Sequence, residues 1–298
     1  TGVQTCALPI CLVLDDNEAA FEFYERVNDR GKPLSKTDLL KNRLLQKLSD
    51  DDFDNASDQW SDAEKRLMRF GREGTLTFLL RQLINADTRE KTKESELFNA
   101  WKPYVTNHDQ CNKLVERIER TSKVLENLLQ GNTPKGSPDK ASTATRFLKF
   151  SQNLGVKLAG ETLSAEDFSY LNKRLEARAL LSLFALERSQ EFETKVVHWS
   201  NNVQKLVSPC TEKDLNNAIV ISASDLDNLI ERARVVTSGL RYGKTAGQTA
   251  KLRLLMAIVN VQLNKQAGNM HHYDLADLLV TSKKIRGQEH PGYDIEHI

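Results

Sequence analysis

From Asp16 onward the apolar residues of this chain return every three or four positions, a period that belongs to amphipathic helices. Ala20, Phe23, Tyr24 and Val27 fall on one stripe, and Leu39, Leu40, Leu44, Leu45 and Leu48 on the next. Between them, Asn28-Asp29-Arg30-Gly31 offers a glycine for a left-handed cap, and Pro33 stops the first helix from running on. Ser35-Lys36-Thr37-Asp38 then has the spacing of a capping box, with Asp38 in place of the commoner Glu. Seven prolines and fourteen glycines in 298 residues leave few other interruptions. The expectation is a mainly α, multi-helical chain.

Further helices are predicted over 60–71, 75–85, 95–104, 109–130, 164–187, 191–206, 211–218, 224–238 and 249–263, with a short one at 273–280. The acidic run SDDDFDNASDQ (49–59) breaks the pattern and reads as a loop. QGNTPKGSPDKAS (130–142) is rich in turn formers and poor in apolar anchors, so it reads as the clearest linker. Strand alternation is confined to GYDIEHI at 292–298. Trp60, Trp101 and Trp199 sit in amphipathic segments and are expected in the core.

Charge is high but balanced, with 42 Lys and Arg against 41 Asp and Glu. Net charge therefore makes no case for nucleic acid, and such a case must rest on local patches. No apolar run approaches the roughly 20 residues that span a bilayer, so no membrane is expected and the chain reads as soluble. Four scattered cysteines make neither a disulfide framework nor a zinc spacing, and a reducing cytoplasm is the default. His271 and His272 are adjacent on a predicted loop without a carboxylate at ligand spacing, so no metal is assigned there.

Three segments carry candidate chemistry. The turn VNDRGKPLS gathers Arg30, Lys32 and Lys36 beside the exposed amides of a helix start, an arrangement that suits a phosphate. The same residues also build an αα-corner, with Gly31 and Pro33 shaping the turn and Ser35 and Asp38 capping the helix. The stretch 238–253, SGLRYGKTAGQTAKLR, fails as a P-loop because three residues rather than four separate Gly239 from Gly243, and a helix precedes it. What remains is a basic loop whose Arg241, Lys244, Lys251 and Arg253 could hold a DNA backbone or simply face solvent. The last segment is DIEHI at 294–298.

The string N-D-R-G-K-P-L-S followed by D-L-L-K-N (28–42) is similar, position by position, to a segment of GmrSD-type, type IV-like restriction systems. In that family it closes a ParB-like nucleotide-binding module, which is joined to a C-terminal HNH nuclease. DIEHI resembles the opening strand of the HNH unit. The resemblance implies that Glu296 is a ligand for a divalent Mg or Mn ion and that His297 is the general base. It also implies DNA, possibly modified, as substrate of the parent protein, and a nucleoside triphosphate in an upstream portion. Nothing before Phe21 matches that portion's D-G-Q-Q-R-type motif.

Residues 1–10 resemble a translated sequencing adapter, although CALPICLVL is apolar enough to pass for a strand. The expected organisation is a non-native 1–10, the end of a ParB-like module over 11–55, a helical region over 56–238 and the start of an HNH module over 239–298. On this reading both ends are truncated, the ββα unit is only begun, and this fragment is inactive. The alternative is a non-catalytic helical module for protein interaction or regulation. The oligomeric state is left open.

Overall fold

The computed structural model describes residues 34–71, 74–267, 275–279, 282–285 and 288–291. The helix expected over 16–28, with its stripe Ala20, Phe23, Tyr24 and Val27, lies outside them, as do Arg30, Gly31, Lys32 and Pro33. The described residues are mainly helical. In chain order the longer helices are α1 (Lys36–Gln46), α2 (Asp50–Leu67), α3 (Leu76–Thr88) and α5 (His108–Gln130), with the short α4 (Leu97–Trp101) before α5. Three short-to-long elements follow: α6 (Thr143–Phe147), α7 (Leu154–Ala159) and α8 (Ala165–Phe184). Then come α9 (Ser189–Val203), α10 (Glu212–Ala218), α11 (Ala223–Ser238), α12 (Ala246–Gln266) and α13 (Leu275–Leu279).

Helix α1 starts where its sequence requires. Ser35 Oγ accepts from the Asp38 amide at 3.1 Å, and the Ser35 amide donates to Asp38 Oδ2 at 3.2 Å, the reciprocal pair of a capping box. Leu40 and Leu44 are fully buried and Leu45 nearly so, in agreement with the predicted stripe, whereas Leu39 and Leu48 are only half-buried.

The acidic run at 49–59 is not a loop; it is the first half of α2. Asp50, Asp51 and Asp52 occupy the first turn, where the helix dipole favours carboxylates, so their charge promotes the helix it had seemed to break. Ala56, Trp60, Ala63 and Leu67 recur at three and four and are buried against α5, which presents Leu114, Ile118 and Leu125.

Asp52 also reaches His108 at the start of α5, Nε2 to Oδ2 at 2.7 Å. This bond first, and Asp109 next, raise the imidazole above its ordinary value, while the same bond lowers Asp52. The histidine's share of stability is therefore present below about pH 6.5 and is lost as pH rises through its elevated folded-state value. Asp52's share is present above about pH 3.9 and is lost as pH falls. An NMR titration of His108 should show a midpoint above about 6.5 that moves down in Asp52→Asn; an unmoved midpoint would remove the pairing.

The centre of the bundle is α7, six residues with Leu154, Gly155, Val156, Lys157 and Leu158 all buried. It packs against α3, α5 and α9. Gly155 leaves room for the end of the Gln82 side chain, whose Oε1 a Cβ there would meet at 2.3 Å. Trp60, Trp101 and Trp199 are all in the main core, which runs from Leu40 to Ile219. A second, smaller core joins Ala144 and Phe184 to Leu240, Leu254, Ala257, Leu278 and Leu279. It seats α12 on the ends of α6 and α8.

The stretch at 130–142 is not a slack linker. An isolated bridge pairs Asn132 with Pro138, Thr133 and Ser137 bond across it at 2.7 Å, and Asp139 is buried. Near the C-terminus, β1 (Ser282–Ile285) pairs antiparallel with β2 (Gln288–Pro291), with Ser282 opposite Pro291 and Ile285 opposite Gln288. Strands were not predicted there. The alternating GYDIEHI follows β2 directly and lies outside the described residues, so a ββα unit is not part of the described fold.

Candidate functional site

Among the described residues, those singled out from sequence are not drawn into one site. Lys36 is exposed on the first turn of α1, beside the Ser35–Asp38 cap. At the α11–α12 connection, Arg241 folds back on its own loop: Nη1 donates to the carbonyls of Ser238 at 3.2 Å and Leu240 at 2.9 Å. Lys244 is exposed beside it. Lys251 turns inward, its Nζ donating to Leu183 O at 2.9 Å and lying 5.5 Å from the Phe184 ring centroid. It thereby caps the C-terminal end of α8, where a cation is favoured, and burial lowers its pKa. Arg253 is half-buried on α12. Of the four, Arg241 and Lys244 remain at the loop surface.

Glu296 and His297 lie outside the described residues. Among the described residues no group of three or more His, Cys, Asp or Glu could hold a metal ion. No catalytic step is assigned to the described residues.

The structure instead assembles a buried ionic cluster that the sequence reading missed. Lys157 on α7 places Nζ 2.6 Å from Glu176 Oε1 of α8 and 3.8 Å from Asp139 Oδ2 of the 130–142 stretch. All three side chains are nearly inaccessible, at 6%, 4% and 5% exposure, so none can rely on water to support its charge. Protein groups do that. Asn153 Nδ2 donates to Glu176 Oε1 at 2.9 Å, and Thr145 Oγ1 donates to Glu176 Oε2. Asn172 Nδ2 lies 2.9 Å from both Asp139 oxygens, and the Ala141 amide donates to Asp139 at 3.1 Å. Ser142 Oγ accepts from Lys157 and donates to Asp139.

Ser142 beside Lys157 has the residue types of a nucleophile and its base. The Ser142 hydroxyl proton, however, is committed to a carboxylate, and the lysine donates to the serine rather than accepting from it. The pair is arranged to hold Lys157, not to activate Ser142. Only α7 contributes the lysine, and no periodic signal marks it: a six-residue helix buried on every side shows no amphipathic stripe. The one available cue was a lysine inside the apolar string LGVKLA.

Beside this cluster is a cavity of about 290 Å³ whose lining includes Ser142, Asn153 and Lys157. A larger, polar cavity of about 430 Å³ lies between α3 and α9, where Lys91 is paired with Glu193 and Arg81 donates to Thr92 O. Among the described residues no helix is long and apolar enough to cross a membrane. No family model, curated protein or solved structure matches this chain.

Proposed function

We propose that this chain belongs to a DNA-cleaving restriction protein of the GmrSD kind, whose phosphodiester hydrolysis is performed by a metal-dependent HNH unit beginning at Glu296 and His297. The observation that carries the reading is the order of two resembling segments in one chain, 28–42 near the start and DIEHI at 294–298. Two structural features support it. In the first segment, Ser35 and Asp38 form a capping box at the start of the helix that carries D-L-L-K-N. The β1–β2 hairpin leads straight to 292–298, where an HNH strand would need neighbouring sheet.

In this reading the acidic residue binds one Mg or Mn ion, and the histidine removes a proton from the attacking water. The exposed Lys36, with Arg241 and Lys244, would contribute phosphate contacts that position DNA without reading its sequence. A nucleoside triphosphate would belong to the family's D-G-Q-Q-R-type portion, which nothing before Phe21 matches.

A second reading, a non-catalytic helical module that binds a protein partner, is favoured by one observation. Helices α11 and α12 carry exposed apolar residues at helical spacing, Leu226 and Ile230 on one, Met256, Val259 and Leu263 on the other. Plasmid nicking separates the two. The chain ending at Ile298 should leave supercoiled DNA intact with Mg or Mn, and a protein continuing through the HNH unit should nick it. Failure of the longer protein to nick DNA removes the nuclease reading and leaves the interaction module.

A further inference from the structure

The 290 Å³ cavity is lined by Leu128, Leu154 and Phe150 together with three cations, Arg146, Lys149 and Lys157. Asp139 and Glu176, the carboxylates that hold Lys157, do not line it. The charged groups facing the cavity are therefore all cationic, and the negative charge that balances Lys157 is set behind it. Among the described residues no carboxylate pairs with Arg146 or Lys149, and both are exposed at the cavity.

Both rim cations sit at identifiable backbone features. Lys149 follows α6 at φ +54°, in the left-handed region. Its amide bonds Arg146 O at 3.0 Å, and the next amide, of Phe150, bonds Thr145 O at 2.8 Å. This is a Schellman ending, and Lys149 occupies the position where glycine is usual. A lysine there strains the backbone, as do Arg89 and Leu186, the other non-glycine residues with positive φ among the described residues. Arg146 lies over Gly131, donating from Nη1 to the glycine carbonyl at 3.3 Å. A Cβ on Gly131, which has φ +87°, would fall 2.0 Å from that nitrogen. The bare glycine makes room for the guanidinium.

We propose that this cavity binds a small organic phosphate. The phosphate lies between the Arg146 guanidinium, whose fork matches two of its oxygens, and the Lys149 ammonium. The body of the ligand lies on Leu128, Phe150 and Leu154. A dianionic group uses two cations where a carboxylate would satisfy one. The volume sits near the lower end of small-molecule clefts, so an inorganic ion underfills it.

Phenyl phosphate, inorganic phosphate and phenol are suitable probes, titrated by calorimetry or NMR into the whole chain. Phenyl phosphate should bind saturably and more tightly than inorganic phosphate, and phenol should not bind detectably. Lys149→Gly is the deciding variant, because it removes the cation while relieving the strained backbone. It should melt no lower than the parent and bind phenyl phosphate about tenfold more weakly, the scale of one charge-assisted contact. Arg146→Ala should weaken binding by about as much. Absence of saturable binding, an unchanged affinity in Lys149→Gly, or displacement of phenyl phosphate by a short DNA duplex would each overturn the assignment.

Discussion

Replacing Lys157 by methionine should destabilise the protein by about 3–5 kcal/mol, the scale for removing one partner of a buried ion pair. Methionine is close in size to the lysine it replaces, so the loss is electrostatic rather than a packing void. It leaves Glu176 and Asp139 buried together, with Ser142 Oγ deprived of the ammonium that donates to it. Neither carboxylate can move to water, because each is held by amides and hydroxyls from α6, from Asn153 just before α7 and from the 130–142 stretch. For a core that runs from Leu40 to Ile219, this should lower the melting temperature by about 6–20 °C.

A second substitution tests the cause. Glu176→Gln, added to Lys157→Met, removes the charge that was stranded while keeping a side chain that can bond Asn153 and Thr145. The double variant should therefore be more stable than Lys157→Met alone, and the coupling should lie in the 0.5–3 kcal/mol range of directly interacting sites. Additive losses would show that the three side chains act separately. A Lys157→Met protein as stable as the parent would show that the cluster contributes no stability.

What the sequence made readable was whatever has a period. Helix α5 was expected over 109–130 and runs His108–Gln130; α10 was expected over 211–218 and runs Glu212–Ala218. Both carry a polar cap and a one-sided stripe, Asn107 and Thr211 serving as caps. The failures have separate physical causes. At 49–59 acidic charge outweighed the stripe Ala56–Trp60–Ala63, although three aspartates in a first turn favour a helix. Helices α6 and α7 are five and six residues long, too short for a period to show. The hairpin at 282–291 contains SKKI and QEHP, which lack an alternating apolar face. The buried cluster was invisible because its members come from positions 139, 157 and 176. Chain order does not reveal that α7 brings a lysine between two carboxylates. The candidate nuclease residues were readable only by resemblance, and the fold adds no described contact to them.

In a protein that carries the complete HNH unit, His297→Ala should slow DNA cleavage by about 10²–10⁴-fold, the usual contribution of a general base. Water at neutral pH is a poor nucleophile toward a phosphodiester, and the metal lowers the barrier without removing the need to accept its proton. Histidine suits that task because its ordinary pKa lies close to the working pH. The loss should therefore fall on the rate of cleavage and spare DNA binding, which depends on phosphate contacts elsewhere. Glu296→Gln should behave differently. On the proposed reading it removes a metal ligand, so activity should fall and recover in part as Mg or Mn is raised, whereas added metal should not rescue His297→Ala. This difference separates the two roles from a general loss of folding, which would reduce binding and cleavage together in both variants. Undiminished cleavage by His297→Ala would place the active site on other residues and leave DIEHI as a coincidental match of five residues.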